Sequence, residues 1–287
     1  MFGMDFSLHD VSATKTDFAY KCSAFFKMNI HIRMDTPKIY VYVRFFHQDK
    51  HYFHHFMKYY LALGVDKICV NVNYRFAEDK DKYEDFLRFV ETSEYIDKLL
   101  ITTGPNSELI AELKHVKAAQ ESAIALCDPE RDFIIPADSD ELHQYPDILP
   151  NLVKMMNDEK LDYLDGPSIE KVSVDGSCPP IVEGTSLFQQ FPRWNHRLFA
   201  CPKITLIRAK YAHHLGVGHH MLDKKFELVK KKCTETHHFR WNLQGKDRVE
   251  NWLKTWRTPN CAGWKDIPKY ERMLACFNNN LLYHNPV

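Results

Sequence analysis

From residue 38 onward the sequence alternates between two periodicities, and that alternation limits the fold more than any other feature. KIYVYVRFF (38–46) is dense in β-branched and aromatic residues, as a buried strand should be. HYFHHFMKYYLALG (51–64) spaces Phe53, Phe56, Met57, Tyr60, Leu61 and Leu63 close to a helical stripe and closes on Gly64. VDKICVNVN (65–73) reads as a second strand, and KYEDFLRFVETSEYI (82–96) shows a helical face through Tyr83, Phe86, Leu87 and Val90. KLLITT (98–103) is a third strand, broken by Gly104-Pro105-Asn106. A long helix is expected from Ser107, a capping residue, to about Cys127. DFIIPADSDE supplies a fourth strand, and a helix from about Asp147 to Met156 follows Pro146. Such alternation predicts an α/β domain whose mostly parallel central sheet carries helices on both faces. Ligands of such sheets bind beyond the carboxyl ends of the strands.

After residue 160 the pattern loosens. LDYLDGPSIEKVSV (161–174) and ITLIRA (204–209) read as strands, while DGSCPPIVEGTSLFQQFPRWNHRLFACP between them has no period. So long an irregular segment inside a compact domain is usually functional. Helical patches close the chain at about Asp247–Thr255 and Tyr270–Leu282. The expected organisation is an extension over 1–37, ending in the turn signal Asp35-Thr36-Pro37, one domain over 38–256, and a helical tail over 257–287.

The fourth strand runs into an unusual sequence, FIIPADSDELHQYP (133–146). Asp138, Asp140 and Glu141 fall within four positions at the end of an apolar run. Like charges this close raise one another's pKa unless something positive sits between them. A divalent metal answers that need, because hard cations take carboxylate oxygens and keep sites for a phosphate. The plainer alternative is a solvated acidic turn. The placement at a strand's carboxyl end favours the metal.

Thirty-eight basic residues balance thirty-eight acidic ones, so no global field favours nucleic acid or an anionic membrane, and any phosphate site must be local. Eight cysteines form no C-x-x-C pair, which argues against a zinc ribbon or thioredoxin-like site and fits a reducing compartment. The first residues lack a basic start followed by an apolar stretch, and no eighteen apolar residues run together. A cytoplasmic protein without a membrane span is the expectation. Sixteen histidines are many, and the doubled ones (His54-His55, His213-His214, His219-His220, His237-His238) are candidate nitrogen ligands.

Four segments in order resemble the glycosyltransferases of the A-type fold, near their family-2 branch with a D-x-D-E motif. VYVRFFHQDKHYFHHFMKYYLALGVDKICVNVN resembles the opening strand, helix and second strand of those enzymes. HVKAAQESAIALCDPERDFIIPADSDELHQYP resembles the helix and strand that deliver the metal-binding acids. NHRLFACPKITLIRAKYAHHLGVGHH is similar to their "K-x-I-x-R-P" segment and the histidine after it. ETHHFRWNLQGKDRVENWLKTW is similar to a late "H-Y-x-x-S" segment and its helix. The resemblance covers most of residues 38–256. It departs at the first strand, where Arg44-Phe45-Phe46 stands for an "R/K-N-E", and at Asn242, which stands for the late serine.

That resemblance implies an enzyme moving a sugar from a nucleotide-sugar, a UDP-sugar first, to a glycan hydroxyl, with inversion, and with Mn2+ or Mg2+ neutralising the leaving diphosphate. Residues 38–145 would bind the nucleotide-sugar and 146–256 the acceptor. Asp140 would bind the metal directly, Asp138 would reach the ribose or the metal through water, and His238 would complete the metal set. Arg44, Asn73, Lys117, Gln120 and Asp138 fall to the donor; Glu141, Arg193, Trp194 and His219 fall to the acceptor side. Inversion needs a carboxylate to take the acceptor's proton, for which Asp165 and Glu183 are the candidates. Two rival enzymes use paired aspartates. A phosphohydrolase normally places them after the first strand, and a nucleotidyltransferase normally shows a Gly-rich loop where this chain has FFHQDK.

Overall fold

A computed structural model describes residues 36–74, 79–105, 109–195, 201–219, 222, 227–256 and 267–278. The chain separates into two units, Met1–Thr36 and Pro37–Val287, and every described residue but Thr36 belongs to the second. Residues 1–35 of the expected extension, Ser107, His220 and most of the expected tail lie outside the described residues.

The expected alternation is present. Strands β1 (Ile39–Phe46), β2 (Lys67–Tyr74), β3 (Leu99–Pro105) and β4 (Phe133–Pro136) alternate with helices α1 (Phe53–Ala62), α2 (Lys80–Glu91) and α3 (Leu109–Leu126). Then follow β5 (Glu141–Gln144), α4 (Leu149–Asp158), β6 (Tyr163–Gly166), β7 (Ser168–Val172), the short α5 (Leu187–Gln190), β8 (Arg193–Asn195) and β9 (Lys203–Arg208). The chain ends in β10 (Lys230–Lys232), β11 (Glu235–His238), α6 (Leu243–Trp256) and α7 (Ile267–Asn278). The last two helices share a small core of Val249, Leu253 and Met273, so Ile267–Asn278, the described part of the expected tail, packs on the preceding helix.

Seven strands form the central sheet in the order β10-β6-β9-β4-β1-β2-β3. Pairing is parallel from β4 through β3 and between β6 and β10; β9 runs antiparallel to both of its neighbours. Alternate residues of β1 face opposite cores, as the two-residue strand period requires. Val41, Val43 and Phe45 join the cluster filled by Phe53, Phe56, Met57 and Tyr60 of α1, Phe86 of α2 and Leu152 of α4. Tyr42 joins the other, with Ala119 and Ala123 of α3 and Ile134 and Ile207 from the sheet. Phe45 meets the rings of Phe53, Phe56 and Phe86 at centroid distances of 5.6, 5.5 and 6.2 Å. Full burial of one such side chain contributes roughly 1.5–3 kcal/mol. The α/β class and the two-sided helical cover therefore match the expectation.

A second sheet, β5-β11-β7-β8, was not expected. The segment read as one strand over 161–174 breaks at Gly166-Pro167, and its halves enter different sheets. Two parallel chains make this crossing side by side: β6 with β10 in the large sheet, then β7 with β11 in the small one. Gly166 allows it, because a Cβ there would lie 1.6 Å from the carbonyl oxygen of Thr234 on the neighbouring chain.

Candidate active site

The acids follow β4 directly, at the edge where the parallel strands β1 to β4 end. Asp138 and Asp140 lie in the turn after Pro136, and Glu141 opens β5. Register then builds a polar layer. His238 of β11 pairs with Glu141 of β5 on one side and with Glu170 of β7 on the other. Two residues back, Thr236 pairs with His143 and with Ser168. All six side chains share one face of the small sheet, and all six are buried.

Buried polar groups need partners, and most of these find them, with Glu141 Oε1 and His238 Nδ1 in ion-pair contact rather than hydrogen-bonded. Lys203, at the start of β9, places Nζ 3.0 Å from Asp138 Oδ2 and 2.7 Å from Glu141 Oε1. His238 stands between two carboxylates, with Nε2 3.2 Å from Asp140 Oδ1 and Nδ1 3.3 Å from Glu170 Oε1. Glu170 is also gripped by the guanidinium of Arg240, whose Nε and Nη2 donate to its two oxygens, and by Trp241 Nε1 at 2.7 Å. His143 Nε2 lies 2.7 Å from the Pro136 carbonyl and Nδ1 3.0 Å from the Thr236 hydroxyl. Burial pushes this imidazole down to about 4, so it is neutral and donates from Nε2.

Charge in the cluster is set by competition between burial and partners. Burial alone would raise Asp138, but Lys203 and then His219 outweigh it and hold the carboxyl well below the usual range. The Asp138 side chain is 40% exposed, so water screens part of that attraction. Fully buried Glu141 is raised by burial against the pull of Lys203. Glu170 is equally buried, yet Arg240 and His238 bring it down to about 2. Burial and Arg240 lower His238, but Asp140 and Glu170 reverse this and carry it to about 9. Burial likewise lowers Lys203, and its two carboxylates more than restore it. Four carboxylates thus face Lys203, Arg240 and His238, and the charge that His238 carries between Asp140 and Glu170 is the one a metal ion could take over.

The donor chemistry fits a divalent metal. Asp138, Glu141 and His219 bring ligand atoms within 4.8 Å of one another, and Asp140 with His238 forms a second carboxylate–imidazole pair. Half-buried Asp138 belongs to the first of these groups and is also bonded by Lys203, so the donors are close together without one set being singled out. Glu170 on the far nitrogen of His238 is the carboxylate that a metal-bound imidazole normally has behind it.

The structure thus gathers Asp138, Asp140, Glu141, His219 and His238 in one place. It gives the other expected residues different partners. Arg44 lies in β1 with its guanidinium 4.7 Å from the centre of the Phe46 ring. Asn73 is buried at the end of β2 and donates to Asn71 Oδ1 at 2.7 Å. Lys117 is exposed on α3, while Gln120 of the same helix donates its amide to the Ala212 carbonyl. Asp165 pairs with Lys230 at 2.7 Å on β6. Glu183 is exposed on the loop after β7 and lines a groove against α1. Arg193 and Trp194 sit on the edge strand β8, with Lys171 Nζ 5.6 Å above the Trp194 ring. Sequence reasoning missed Lys203, Glu170, Arg240 and Trp241. Three of them lay within or beside quoted motifs: Lys203 as the lysine of CPKITLIRA, and Arg240 and Trp241 in HHFRW.

No protein-family model matches the sequence, and no curated protein does. Solved structures similar to this chain include S. aureus TarS 1-349, 14% identical, covering 85% of this chain and 71% of that one with a TM-score of 0.35. A second structure of S. aureus TarS is also 14% identical, with a TM-score of 0.34; the match covers 85% of this chain and 43% of that one. Among the described residues no helix is long and apolar enough to cross a membrane.

Proposed function

We propose that this chain is a glycosyltransferase that moves a sugar from a nucleotide-sugar, a UDP-sugar first, to a hydroxyl of a glycan. The observation that carries the reading is His238, held by Glu170 through one ring nitrogen and set against Asp140 through the other, at the carboxyl edge of a parallel sheet. Asp138, Asp140 and His238 would hold Mn2+ or Mg2+, which when bound offsets the charge of a leaving diphosphate. The chain's own groups do the rest. Lys203 keeps Asp138 ionised and fixes Glu141, and Arg240 with Trp241 keeps Glu170 ionised behind His238. Neither Asp165 nor Glu183 belongs to the cluster, so the proposed transfer is written without them as bases.

Release of nucleoside diphosphate from a panel of UDP-, GDP-, CMP- and ADP-linked sugars, with oligosaccharide acceptors, tests the reading. One donor class should turn over with Mn2+ and stop with EDTA. Glu170→Gln should lower the rate roughly 10–100-fold, the range for outer partners of a metal ligand, and Asp140→Asn should lower it further. Turnover of no donor, together with phosphate release from simple phosphate esters, would move the site to the phosphohydrolase class.

A further inference from the structure

A groove of about 460 Å3 lies outside the acid cluster, between α1 and the loop that leads into α5. Leu142 forms part of its wall. On β5 that residue alternates with Glu141 and His143, so the groove lies on the opposite face of the small sheet from the carboxylates. Its size falls within the roughly 300–1,000 Å3 of small-molecule sites.

The wall is built ahead of any ligand. Gln190 clamps its loop from one side: Oε1 accepts from Val182 N–H at 2.8 Å, and Nε2 donates to the Val182 and Thr185 carbonyls at 2.8 and 2.6 Å. Ser186 caps the short helix that follows. Across the groove stands His55 of α1, whose Nε2 is buried and has no hydrogen-bond partner among the described residues. Burial lowers His55 and keeps the ring neutral. Glu94 and Glu183 add two carboxylate acceptors and Lys58 one donor, so the lining is slightly acidic and does not favour an anion. Tyr59 and Phe188, with ring centroids 6.1 Å apart, offer the apolar surface.

Acceptors in excess, one ammonium and two rings in a preformed groove are the chemistry that recognises many hydroxyls on a compact apolar frame. We propose that this groove is a second binding site for an uncharged saccharide, separate from the acid cluster and independent of any metal. The proposal does not depend on sugar transfer at Asp140, since a glycan-anchoring groove needs no catalysis.

Saturation-transfer NMR on the full chain tests it, with neutral mono- and disaccharides as probes and acidic sugars beside them, in EDTA and without nucleotide. At least one neutral saccharide should bind, and excess UDP with Mn2+ should not displace it. Glu183→Gln, an exposed and isosteric change, should weaken that binding roughly tenfold, as loss of a hydrogen bond to a charged group does, with the melting temperature unmoved. The proposal is overturned if no neutral saccharide binds, if only acidic sugars bind, if UDP displaces the saccharide, or if Glu183→Gln leaves the affinity unchanged.

Discussion

The central sheet between β4 and β3 is packed mainly with hydrocarbon, with Val41, Val43 and Phe45 on one side and Tyr42 and Ile134 on the other, where the buried Asn71 and Asn73 bring in the polar exception. The small sheet beside it buries Glu141, His143, Thr236, His238 and Glu170 on one face, where β7 adds the apolar Val172 only at its far end. The first region is held by a non-directional force that grows with area, so its parts can be exchanged for others of similar size. The second is held by partners at fixed distances, where each group is needed by the next and loss of one strands another. A fold can afford only a little of the second kind, and the chain places it where the parallel strands end.

The contrast is sharpest in Lys203→Met. This change keeps the length of the side chain but leaves Glu141 buried and uncompensated beside Asp138. It should destabilise by about 3–5 kcal/mol in urea unfolding, and adding Glu141→Leu should return a good part of that loss. If the double variant is no better than the single one, the polar layer is not coupled as its geometry requires.

The acid limb of stability comes next. Glu170 has a folded pKa of about 2 against an ordinary value of 4.5, so its contribution is present above the ordinary value and is lost as pH falls from about 4.5 towards 2. The loss is on the order of 3 kcal/mol, at about 1.4 kcal/mol per unit. Glu170→Gln should flatten that limb, whereas a substitution in the large sheet should leave its slope alone. Equal slopes in both would erase the distinction.

Gly166→Ala acts at the junction of the two sheets, where the new methyl meets backbone rather than a side chain that can turn away. It should cost about 1–3 kcal/mol, and a thermal scan showing no loss would mean the two crossing chains are less tightly set than drawn. Smallest is Ile135→Val in β4, at about 0.5–1.5 kcal/mol and without pH dependence. A larger penalty there would show that the apolar sheet is as intolerant as the polar one.

The same contrast governs what could be read from the sequence. Strands of seven or eight residues such as Ile39–Phe46 and Lys67–Tyr74 announce themselves by composition, and the helices between them by spacing. The small sheet is made of strands of three to five residues that carry Glu, His, Lys and Thr, with partners tens of residues away. No local period marks them. The crowded acids did signal a missing positive charge, and a divalent ion was the expected answer. Lys203, 65 residues along the chain from Asp138, supplies part of it, and nothing in CPKITLIRA distinguishes a buried lysine from an exposed one. Gly166-Pro167 was the readable clue that 161–174 is two strands, since proline breaks the middle of a sheet strand.

The most direct measurement is the melting temperature with UDP, GDP, CMP or ADP, each with Mn2+ and then with EDTA, in the unmodified protein and in Asp140→Asn. One nucleotide with Mn2+ should stabilise the protein, by about 2.7 kcal/mol at a hundredfold excess over Kd. EDTA and Asp140→Asn should each abolish the effect. Stabilisation by no nucleotide, or by one that ignores both EDTA and Asp140→Asn, would contradict a metal-assisted nucleotide site built on Asp140 and His238.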